Sequence, residues 1–284
     1  MDSNRIKSTC AGEKGGRVRL DILLVERGLA SSREQSQRLI MAGKVSVAGA
    51  PAGKPGVSVD AGARLDVAEG ERYVSRGGIK LEAALRGFAI PAGGRVCADI
   101  GASTGGFTDC LLQHGAAKIY AIDVGRSQLH ERLRGDARVA LVDHVNARHL
   151  RADSLPELPQ LLVADVSFIS LAVIFPALAE VSAPGAELVA LIKPQFEACR
   201  RDVSRGRGVV RDPAVHARVL NDVLRAARDC RWLPLGLIPS PIAGSSGNRE
   251  YLLYLRKCAD AREAQQCAAI DVDAAVQKAF CDVP

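Results

Sequence analysis

The sequence has no cysteine pattern of the kind that holds a structural metal or a disulfide framework. Its eight cysteines are spread over 284 residues without a C-x-x-C pair, and His, Cys and carboxylate residues do not cluster at metal-ligand spacing. We therefore expect reduced thiols, no metal site and a cytoplasmic protein. No apolar region follows Met1, so a secretory signal is not expected.

Long apolar runs are also absent from the sequence. The most apolar long window, 161–181, contains Asp165, Pro176 and Glu180, so it predicts a buried strand and a helix instead of a membrane span. The composition, with 48% hydrophobic and 25% charged residues, is typical of a globular protein with an α/β core and a small second domain. The formal net charge of +6 is compatible with an anionic partner, but charge alone does not establish one.

The central motif of the chain is a strand, a glycine turn and the start of a helix. An apolar run over 96–100, with Asp99 near its end, predicts a buried strand, and helical spacing follows from Phe107. Three glycines within 101–106 predict a tight turn between the two. Unpaired N–H groups at a helix start, next to residues without side chains, form a cradle for a nucleotide-like ligand.

The same turn permits a second interpretation. It lacks the G-x-G-x-x-G dinucleotide fingerprint, but residues 101–105 match G-x-S-x-G, the nucleophile elbow of hydrolases, with Ser103 as the nucleophile. A hydrolase would also need a downstream histidine, for which the candidates are His144, His149 and His216. No H-G-G-G-type oxyanion loop precedes the turn, which disfavours a hydrolase.

The first quarter of the chain predicts a small separate domain. Residues 1–16 are polar and glycine-rich, which is typical of a disordered tail. Residues 17–68 have the pattern of a compact unit, and the short charged connector over 69–75 is the expected linker.

Two helices are expected within this unit, over 19–29 and 31–41. The pair Ser31 and Glu34 has the spacing of a capping box at the start of the second helix. A short strand and turn should follow over 44–49.

Basic residues on and beside the second helix indicate one basic edge, although a solvated helix face would have the same composition. The pattern RLDILLVERGLASSREQSQRLIMAGKVSVAG resembles the RNA-binding domain shared by a ribosomal small-subunit protein, tyrosyl-tRNA synthetases and many pseudouridine synthases. This resemblance implies contacts with structured RNA through the second helix. The RNA-binding residues that we expect are Arg19, Arg33, Arg38 and Lys44.

Strand and helix patterns alternate through the rest of the chain. Further strands are predicted over 118–124, 139–142, 161–166, 187–192, 233–238 and 251–255, with helices over 81–87 and 213–229. This alternation predicts an α/β fold with a largely parallel sheet, in which ligands bind at the carboxyl ends of the strands.

Polar residues are placed where such a sheet would bring them together. Asp123, Asp165 and Lys193 lie at the ends of predicted strands, Lys80 precedes the first strand and Glu250 precedes the last. Asp123 also falls about 20 residues after the glycine turn, where a ribose-binding carboxylate is expected. Each residue alone would more often form a surface salt bridge, but as a set they indicate a functional site.

Five segments resemble the TlyA (hemolysin A) family of ribosomal RNA 2′-O-methyltransferases: SRGGIKL, DIGASTGGFTDCLL, ADVSFISL, LIKPQFE and SGNREYLL. The resemblance runs in order from Leu20 to Leu255. It implies an α/β fold, with a Rossmann-like, FtsJ-like methyltransferase domain and a mostly parallel seven-stranded sheet over 76–258, after a small α+β RNA-binding domain. Residues 259–284 would form a helical tail, in which 271–280 resembles the final helix of members associated with both ribosomal subunits.

The resemblance also implies a cofactor and a set of site residues. The implied cofactor is S-adenosylmethionine, and the implied catalytic tetrad is Lys80, Asp165, Lys193 and Glu250. The implied cofactor-binding residues are Asp99, Gly101, Ser103, Thr104, Gly105, Gly106, Phe107, Asp123, Asn146 and Phe168. Among these, Asp123 would bind the ribose hydroxyls, while Asn146 and Phe168 would lie at the adenine side and the methionine region.

The implied reaction is metal-independent methyl transfer to a ribose 2′-hydroxyl of cytidine in ribosomal RNA. Because this hydroxyl is a very weak acid, its proton must be removed. An ordinary lysine has a pKa of about 10.4, so a lysine base requires desolvation or a second cation nearby. We expect Lys193 to be the base, Asp165 and Glu250 to orient the lysines, and Lys80 to stabilise the developing oxyanion or position the ribose.

Three other functions are alternatives to this one. A non-catalytic RNA-binding ribosome-assembly factor would keep the basic domain and would not need a cofactor. A hydrolase would leave Lys80, Lys193 and Glu250 without a role, and a pore-forming toxin would need an amphipathic or spanning segment that the sequence lacks. The expected partners are ribosomal RNA and either or both ribosomal subunits.

Overall fold

The structure, a computed structural model, describes residues 5–8, 16–68, 72–126, 128–265 and 269–282. The chain forms two compact units, Met1–Arg72 and Tyr73–Pro284. The division between the units falls within the connector predicted over 69–75. Each unit has its own hydrophobic core.

The smaller unit combines two short helices with short antiparallel strands. Its elements are β1 (Arg5–Ser8), β2 (Arg17–Arg19), α1 (Leu20–Glu26), α2 (Arg33–Met41), β3 (Val45–Val47), β4 (Ala50–Pro51), β5 (Ser58–Asp60) and β6 (Leu65–Ala68). The strands form a sheet in the order β1-β6-β3-β4 and a separate β2-β5 pair. The apolar faces of α1 and α2 close over this sheet around Leu20, Leu24, Ile40, Val45 and Leu65.

Two details of this unit differ from the prediction. Residues 5–8, inside the tail expected to be disordered, form β1, which pairs antiparallel with β6. Because β6 lies about 60 positions further along the chain, no local sequence pattern predicts this strand. The cap of α2 is Ser32 instead of Ser31. Ser32 has the extended backbone of a cap, and its hydroxyl accepts the N–H of Gln35.

The larger unit is a seven-stranded sheet with helices on both faces. Its strands are β7 (Val96–Ile100), β8 (Lys118–Asp123), β9 (Val139–Asp143), β10 (Leu161–Ala164), β11 (Glu187–Ile192), β12 (Trp232–Pro239) and β13 (Tyr251–Lys257). Its helices are α3 (Gly77–Gly87), α4 (Gly106–Gln113), α5 (Glu131–Arg134), α6 (Leu171–Val181), α7 (Pro194–Glu197), α8 (Arg200–Arg205), α9 (Pro213–Asp229), α10 (Ala261–Gln265) and α11 (Val272–Asp282), with a 3₁₀ turn at Ala147–His149.

The strand order is β12-β13-β11-β10-β7-β8-β9. The five strands from β7 to β11 are parallel to one another, and at one edge β13 runs antiparallel to both its neighbours, β11 and β12. The chain winds outward from β7 to β9, then returns to the other side of β7 to form β10. Ligands in open α/β sheets bind at such a reversal, outside the carboxyl ends of the strands. The crevice beyond β7 and β10 is therefore the expected site.

Most element boundaries lie within two residues of the prediction; α1 ends at Glu26 instead of 29, and two differences lie near the site. Helix α3 begins at Gly77, not at 81, so Lys80 lies in its first turn. Strand β10 ends at Ala164, so Asp165 follows the strand instead of ending it. Among the described residues, no helix has the length and hydropathy of a membrane span, and no group of His, Cys, Asp and Glu is arranged for a metal ion.

Candidate active site

Strand order alone places the predicted polar residues along one edge of the sheet. From one side to the other, the residues at this edge are Glu250 before β13, Lys193 after β11, Asp165 after β10, Gly101 after β7 and Asp123 at the end of β8. The antiparallel register puts Tyr251 opposite Ile192, which brings the neighbouring Glu250 and Lys193 to adjacent positions. The sequence expectation of convergence at the carboxyl edge is thus met by these five positions.

The first side-chain pair at this edge is Lys193 with Asp165. Lys193 Nζ lies 2.6 Å from Asp165 Oδ1 and donates a 3.0 Å hydrogen bond to Ser167 Oγ. The two ion-paired side chains are only 12% and 23% exposed. Lys193 directly precedes Pro194, which opens α7, so its backbone is held where the strand becomes a helix.

The second pair is Lys80 with Glu250. Lys80 Nζ lies 2.5 Å from Glu250 Oε2, and both residues are buried. Gly244 leaves room for this carboxylate, because a Cβ at that position would lie 2.5 Å from Glu250 Oε1. The four tetrad residues therefore form two separate lysine–carboxylate pairs, one for each lysine.

A cavity of about 500 Å³ opens at the same edge, beyond β7, β8, β9 and β10. Six predicted site residues line it: Gly101, Ser103, Asp123, Asn146, Asp165 and Phe168. Lining residues that the sequence reasoning missed are Ile100, Ile122, Val124, Gln128, Val145, Ala147, Arg148, Val166, Ser167 and Ile169. Most of these are apolar, and an apolar residue at a strand end has the same sequence pattern as one in the core.

Asp123 is fixed in the wall of this cavity by two backbone groups. Its Oδ2 accepts the N–H of Ser103 at 2.8 Å, and its Oδ1 accepts the N–H of Gly125 at 2.7 Å. Each carboxylate oxygen has a second lone pair for a ligand. The same bonds fix the conformation of the glycine turn that contains Ser103.

Carboxylates concentrate around the turn. Asp99 is fully buried and accepts a 2.6 Å hydrogen bond from Thr108 through Oδ2, while its Oδ1 has no hydrogen-bond partner among the described residues. Burial raises the pKa of Asp99 to about 7, with smaller contributions from the charges of Asp165 and Asp123. Asp99 is therefore only partly ionised near neutral pH, and the carboxylates that line the cavity are Asp123 and Asp165.

Five of the predicted cofactor residues do not line the cavity: Asp99, Thr104, Gly105, Gly106 and Phe107. The glycines serve packing, because a Cβ at Gly105 would lie 2.4 Å from Leu133 and one at Gly106 would lie 2.1 Å from Ser75 Oγ. Phe107 is buried in the core of this unit. These residues lie outside the cavity lining, and their role in binding the cofactor stays a prediction.

Gly101 has the clearest conformational requirement of the three turn glycines. Its φ is +83°, and a Cβ there would lie 2.6 Å from the carbonyl oxygen of Asp165. Only glycine lets β7 and the segment after β10 approach this closely.

Phe168 and Asn146 lie at the rim of the cavity. Phe168 is 91% exposed, has a φ of +63°, and its ring lies 4.9 Å from that of Phe196. Asn146 caps the 3₁₀ turn by accepting the N–H of Arg148. Phe168 follows β10 and Asn146 follows β9, and both line the cavity; their contacts with the methionine region and the adenine stay predictions.

The hydrolase interpretation receives no support from the histidines. His216 is fully buried and is hydrogen-bonded to Tyr251 and to the carbonyl of Val210. His149 is bonded to the guanidinium of Arg148. The backbone N–H of Ser103 donates a hydrogen bond to Asp123, and this bond stabilises the turn.

In the smaller unit, two of the predicted RNA-binding arginines share one carboxylate. Asp21 is fully buried, and its oxygens accept hydrogen bonds from Arg19, Arg33 and Gln37 at 2.9–3.0 Å. These bonds hold the pKa of Asp21 well below its usual range, the bond from Arg19 contributing most.

The other two basic residues lie apart from this group. Arg38 follows Arg33 by five positions, about 140° around α2, and Lys44 lies beyond the end of the helix. The predicted basic edge is therefore two separate groups on this unit, one of them partly neutralised by Asp21.

Comparisons with known proteins agree with this geometry. Residues 73–257 match the model of the FtsJ-like methyltransferases, and residues 18–65 match the S4 domain. The chain is therefore an enzyme of the FtsJ-like methyltransferase class with an S4 domain before its catalytic unit.

Close relatives narrow this class. A Mycobacterium tuberculosis protein named 16S/23S rRNA (cytidine-2′-O)-methyltransferase TlyA is 46% identical over 270 residues, which cover 94% of this chain and 99% of the relative. Hemolysin A of Brachyspira hyodysenteriae is 42% identical over 84% of this chain and 99% of its own. The structure of a hemolysin candidate from Streptococcus thermophilus is 41% identical, with a TM-score of 0.70 over 94% of this chain and 96% of that one. This chain belongs to the TlyA (hemolysin A) family, which confirms the recognition and the fold class predicted from its motifs.

Proposed function

We propose that this enzyme transfers a methyl group from S-adenosylmethionine to the 2′-hydroxyl of a cytidine in ribosomal RNA. The observation that carries the proposal is the position of Asp165. This residue lines the cavity and is at the same time ion-paired with Lys193. A lysine next to the cofactor cavity is where a base for the attacking hydroxyl would be needed.

The substrate part of the proposal is supported by the S4 match and by the relatives. The M. tuberculosis relative is named for cytidine 2′-O-methylation of 16S and 23S rRNA, and it aligns with almost the whole of this chain. The S4 unit presents Arg38 and Lys44, which suit the phosphates of structured RNA.

The cavity fits S-adenosylmethionine in size and charge. Its volume of about 500 Å³ is within the range of small-molecule sites, and the carboxylates Asp123 and Asp165 in its lining suit a ligand with a sulfonium and an ammonium group. Asp123 would hold the ribose hydroxyls and Asn146 would lie by the adenine. When bound, the cofactor supplies an electrophilic methyl group on a positively charged sulfur.

The chemical work of the chain then falls on the two lysine pairs. Lys193 must first release the proton of its ion-paired ammonium to solvent; its neutral amine then takes the proton of the 2′-hydroxyl, and Asp165 and Ser167 hold the ammonium that forms again. Lys80, oriented by Glu250, lies where a positive charge can stabilise the developing oxyanion or position the ribose. The alignment of hydroxyl and methyl in this fixed frame accounts for a large part of the expected rate.

Two measurements test the proposal. Calorimetry should show binding of S-adenosylmethionine to the folded protein, weakened by Asp123→Ala. Tritiated cofactor should then label isolated small or large ribosomal subunits, and nuclease mapping should place the label on a cytidine ribose. Absence of cofactor binding to folded protein would refute the methyltransferase assignment. Cofactor binding without transfer to any subunit preparation would favour the assembly factor.

A further inference from the structure

The catalytic unit has an arginine-rich segment that the tetrad and the cofactor cavity do not use. It consists of α8 and the turn that follows, residues 200–211. Its five arginines, all exposed, are Arg200, Arg201, Arg205, Arg207 and Arg211.

The carboxylates near these arginines each have another partner: Asp222 pairs with Arg225, and Glu197 accepts hydrogen bonds from Ser170 and the N–H of Leu171. Asp202 is ion-paired with Arg218 of α9, and Asp212 caps α9 by accepting the N–H of Ala214. The segment therefore presents an excess of guanidinium groups at the surface.

Both ends of the segment are attached to the catalytic edge. It begins seven residues after Lys193, with only the short helix α7 between them. At its other end, the buried Asn248 accepts the N–H of Val210 at 3.0 Å and donates to the carbonyl of Gly208 at 3.0 Å. The arginine segment is thus connected to Lys193 at its start. At its end it is hydrogen-bonded to Asn248, which lies two positions before Glu250.

A second set of bonds fixes the same end. His216 joins the carbonyl of Val210, at 3.0 Å, to the hydroxyl of Tyr251, at 2.8 Å. Tyr251 is the residue after Glu250, so the segment is tied to both sides of this carboxylate.

The turn itself displays Arg207 in an unusual conformation. Arg207 has a φ of +52° and is followed by Gly208 with a φ of +89°. A left-handed conformation is unfavourable for a side chain with a Cβ, and such positions concentrate at functional sites.

A polar cavity of about 590 Å³ lies beside α8. Arg201, Arg205 and Arg218 line it together with Glu197, Asp202 and Asp222. Because these carboxylates have the partners named above, Arg201 and Arg205 keep N–H donors for phosphate oxygens, which guanidinium groups bind through paired donors.

We propose that residues 200–211 bind the phosphates of the RNA strand next to the target nucleotide and hold that strand at the tetrad. The proposal rests on the proposed function for the identity of the strand. Its physical content is that the catalytic unit, and not only the S4 domain, contributes phosphate contacts, through Arg201, Arg205, Arg207 and Arg211.

The test compares two full-length variants with equal loss of charge. The first replaces Arg201, Arg205, Arg207 and Arg211 by Gln. The control replaces Arg138, Arg231, Arg256 and Arg262 by Gln; these residues are exposed, and they lie at the opposite edge of the sheet, before β9 and around the start of β12. Filter binding to 16S and 23S rRNA transcripts over a range of salt concentrations measures affinity and its salt dependence for each variant.

The first variant should bind at least about tenfold more weakly at low salt, and the slope of log Kd against log salt should fall by up to about 4, near 1 for each lost phosphate contact. The control should match the wild type. In single-turnover methyl transfer, the RNA concentration at half-maximal rate should rise with Kd, while the rate at saturating RNA stays within about twofold.

Equal losses in both variants, or an unchanged slope in the first, would overturn the proposal; the second result is the one expected if the segment binds a protein. If the first variant does not fold, Arg205→Gln with Arg207→Gln gives the same comparison, with a slope change of about 2. If the wild type transfers no methyl group, the proposed function fails, and the binding comparison still decides this proposal.

Discussion

Lys80 Nζ lies 2.5 Å from Glu250 Oε2, although the two residues are 170 positions apart in the chain. Lys80 is in the first turn of α3, at the start of the catalytic unit, and Glu250 precedes the last strand of the sheet. Their pairing fixes the first helix of the unit against its final strand. It also means that one lysine of the tetrad is held by a carboxylate away from the solvent.

Breaking this pair from one side should destabilise the fold. Glu250→Gln leaves the Lys80 ammonium buried without its counter-charge, and the free energy of unfolding should fall by about 3–5 kcal/mol. Replacing both residues, as Lys80→Met with Glu250→Leu, should cost much less, since no charge remains buried. Urea denaturation measures the difference. Lys118→Met, which breaks an exposed pair with Glu157, should have little effect; a double variant as unstable as the single would contradict the interpretation.

Replacement of Lys193 should stop the chemistry and spare binding. Lys193→Met removes the amine and keeps an apolar stem, and Lys193→Arg keeps the charge but cannot lose a proton near neutral pH. Both should bind cofactor and RNA nearly as the wild type does and transfer methyl orders of magnitude more slowly in single turnovers. Asp165→Asn should also be severely slowed, whereas Lys80→Met should retain more activity if its role is positional. A wild-type rate from Lys193→Arg would remove this lysine as the base.

Gly101→Ala should weaken cofactor binding more than a positive φ alone would, because the new Cβ would also collide with the backbone. Its Cβ would lie 2.6 Å from the carbonyl oxygen of Asp165, whereas a Cβ at Gly94, which also has a positive φ, would have nothing within 4 Å. Gly94→Ala should cost on the order of 1 kcal/mol of stability and leave cofactor binding intact. Gly101→Ala should cost more and weaken cofactor binding at least about tenfold. Equal effects of the two variants would show that close packing at Gly101 is unimportant.

Asp99 should make stability fall as the pH rises. Burial raises its pKa to about 7 in the folded protein, so between about pH 4 and 7 the folded state binds more protons than the unfolded state, and stability decreases across that range. Asp99→Asn should remove this contribution, so the difference in unfolding free energy between wild type and variant should change from pH 5 to pH 8.

A matched control for Asp99 is Asp136→Asn. The hydrogen bond from the Arg138 side chain lowers the pKa of Asp136 to about 2, so its contribution is lost only below about pH 4 and should be constant from pH 5 to 8. Urea titrations at several pH values measure both differences. A flat difference for Asp99→Asn would show that this carboxyl is ionised throughout the range.

In the S4 unit, Arg38 and Lys44 are the residues to change first. Arg33→Glu would place a second carboxylate beside the buried Asp21 and destabilise the fold. Weaker RNA binding by that variant could then come either from misfolding or from a lost RNA contact. Arg38→Gln with Lys44→Gln should lower the salt slope of rRNA binding by about 2, with no change in cofactor binding. Lys54→Gln, an exposed charge in the same unit, is the control. An unchanged slope in the double variant would mean that this helix face is only solvated.

Much of the architecture was predictable because it depends on neighbouring residues. Strands β7 and β11 and helix α9 have the predicted bounds, since apolar runs, glycine turns and the Asp212 cap act over a few positions. The order of these elements predicted the parallel sheet, and with it the edge at which Asp123, Asp165 and Lys193 meet.

The sequence by itself thus determined the class of fold, the residue types at the site and the edge of the sheet where they gather. Only the tertiary structure decided which lysine pairs with which carboxylate, that a Cβ at Gly105 or Gly106 would collide with Leu133 or Ser75, and that residues 5–8 form a strand. Each of these depends on atoms from segments far apart in the chain. Spacing along the sequence has no information about such contacts, because they are set by how helices and strands pack around a common core.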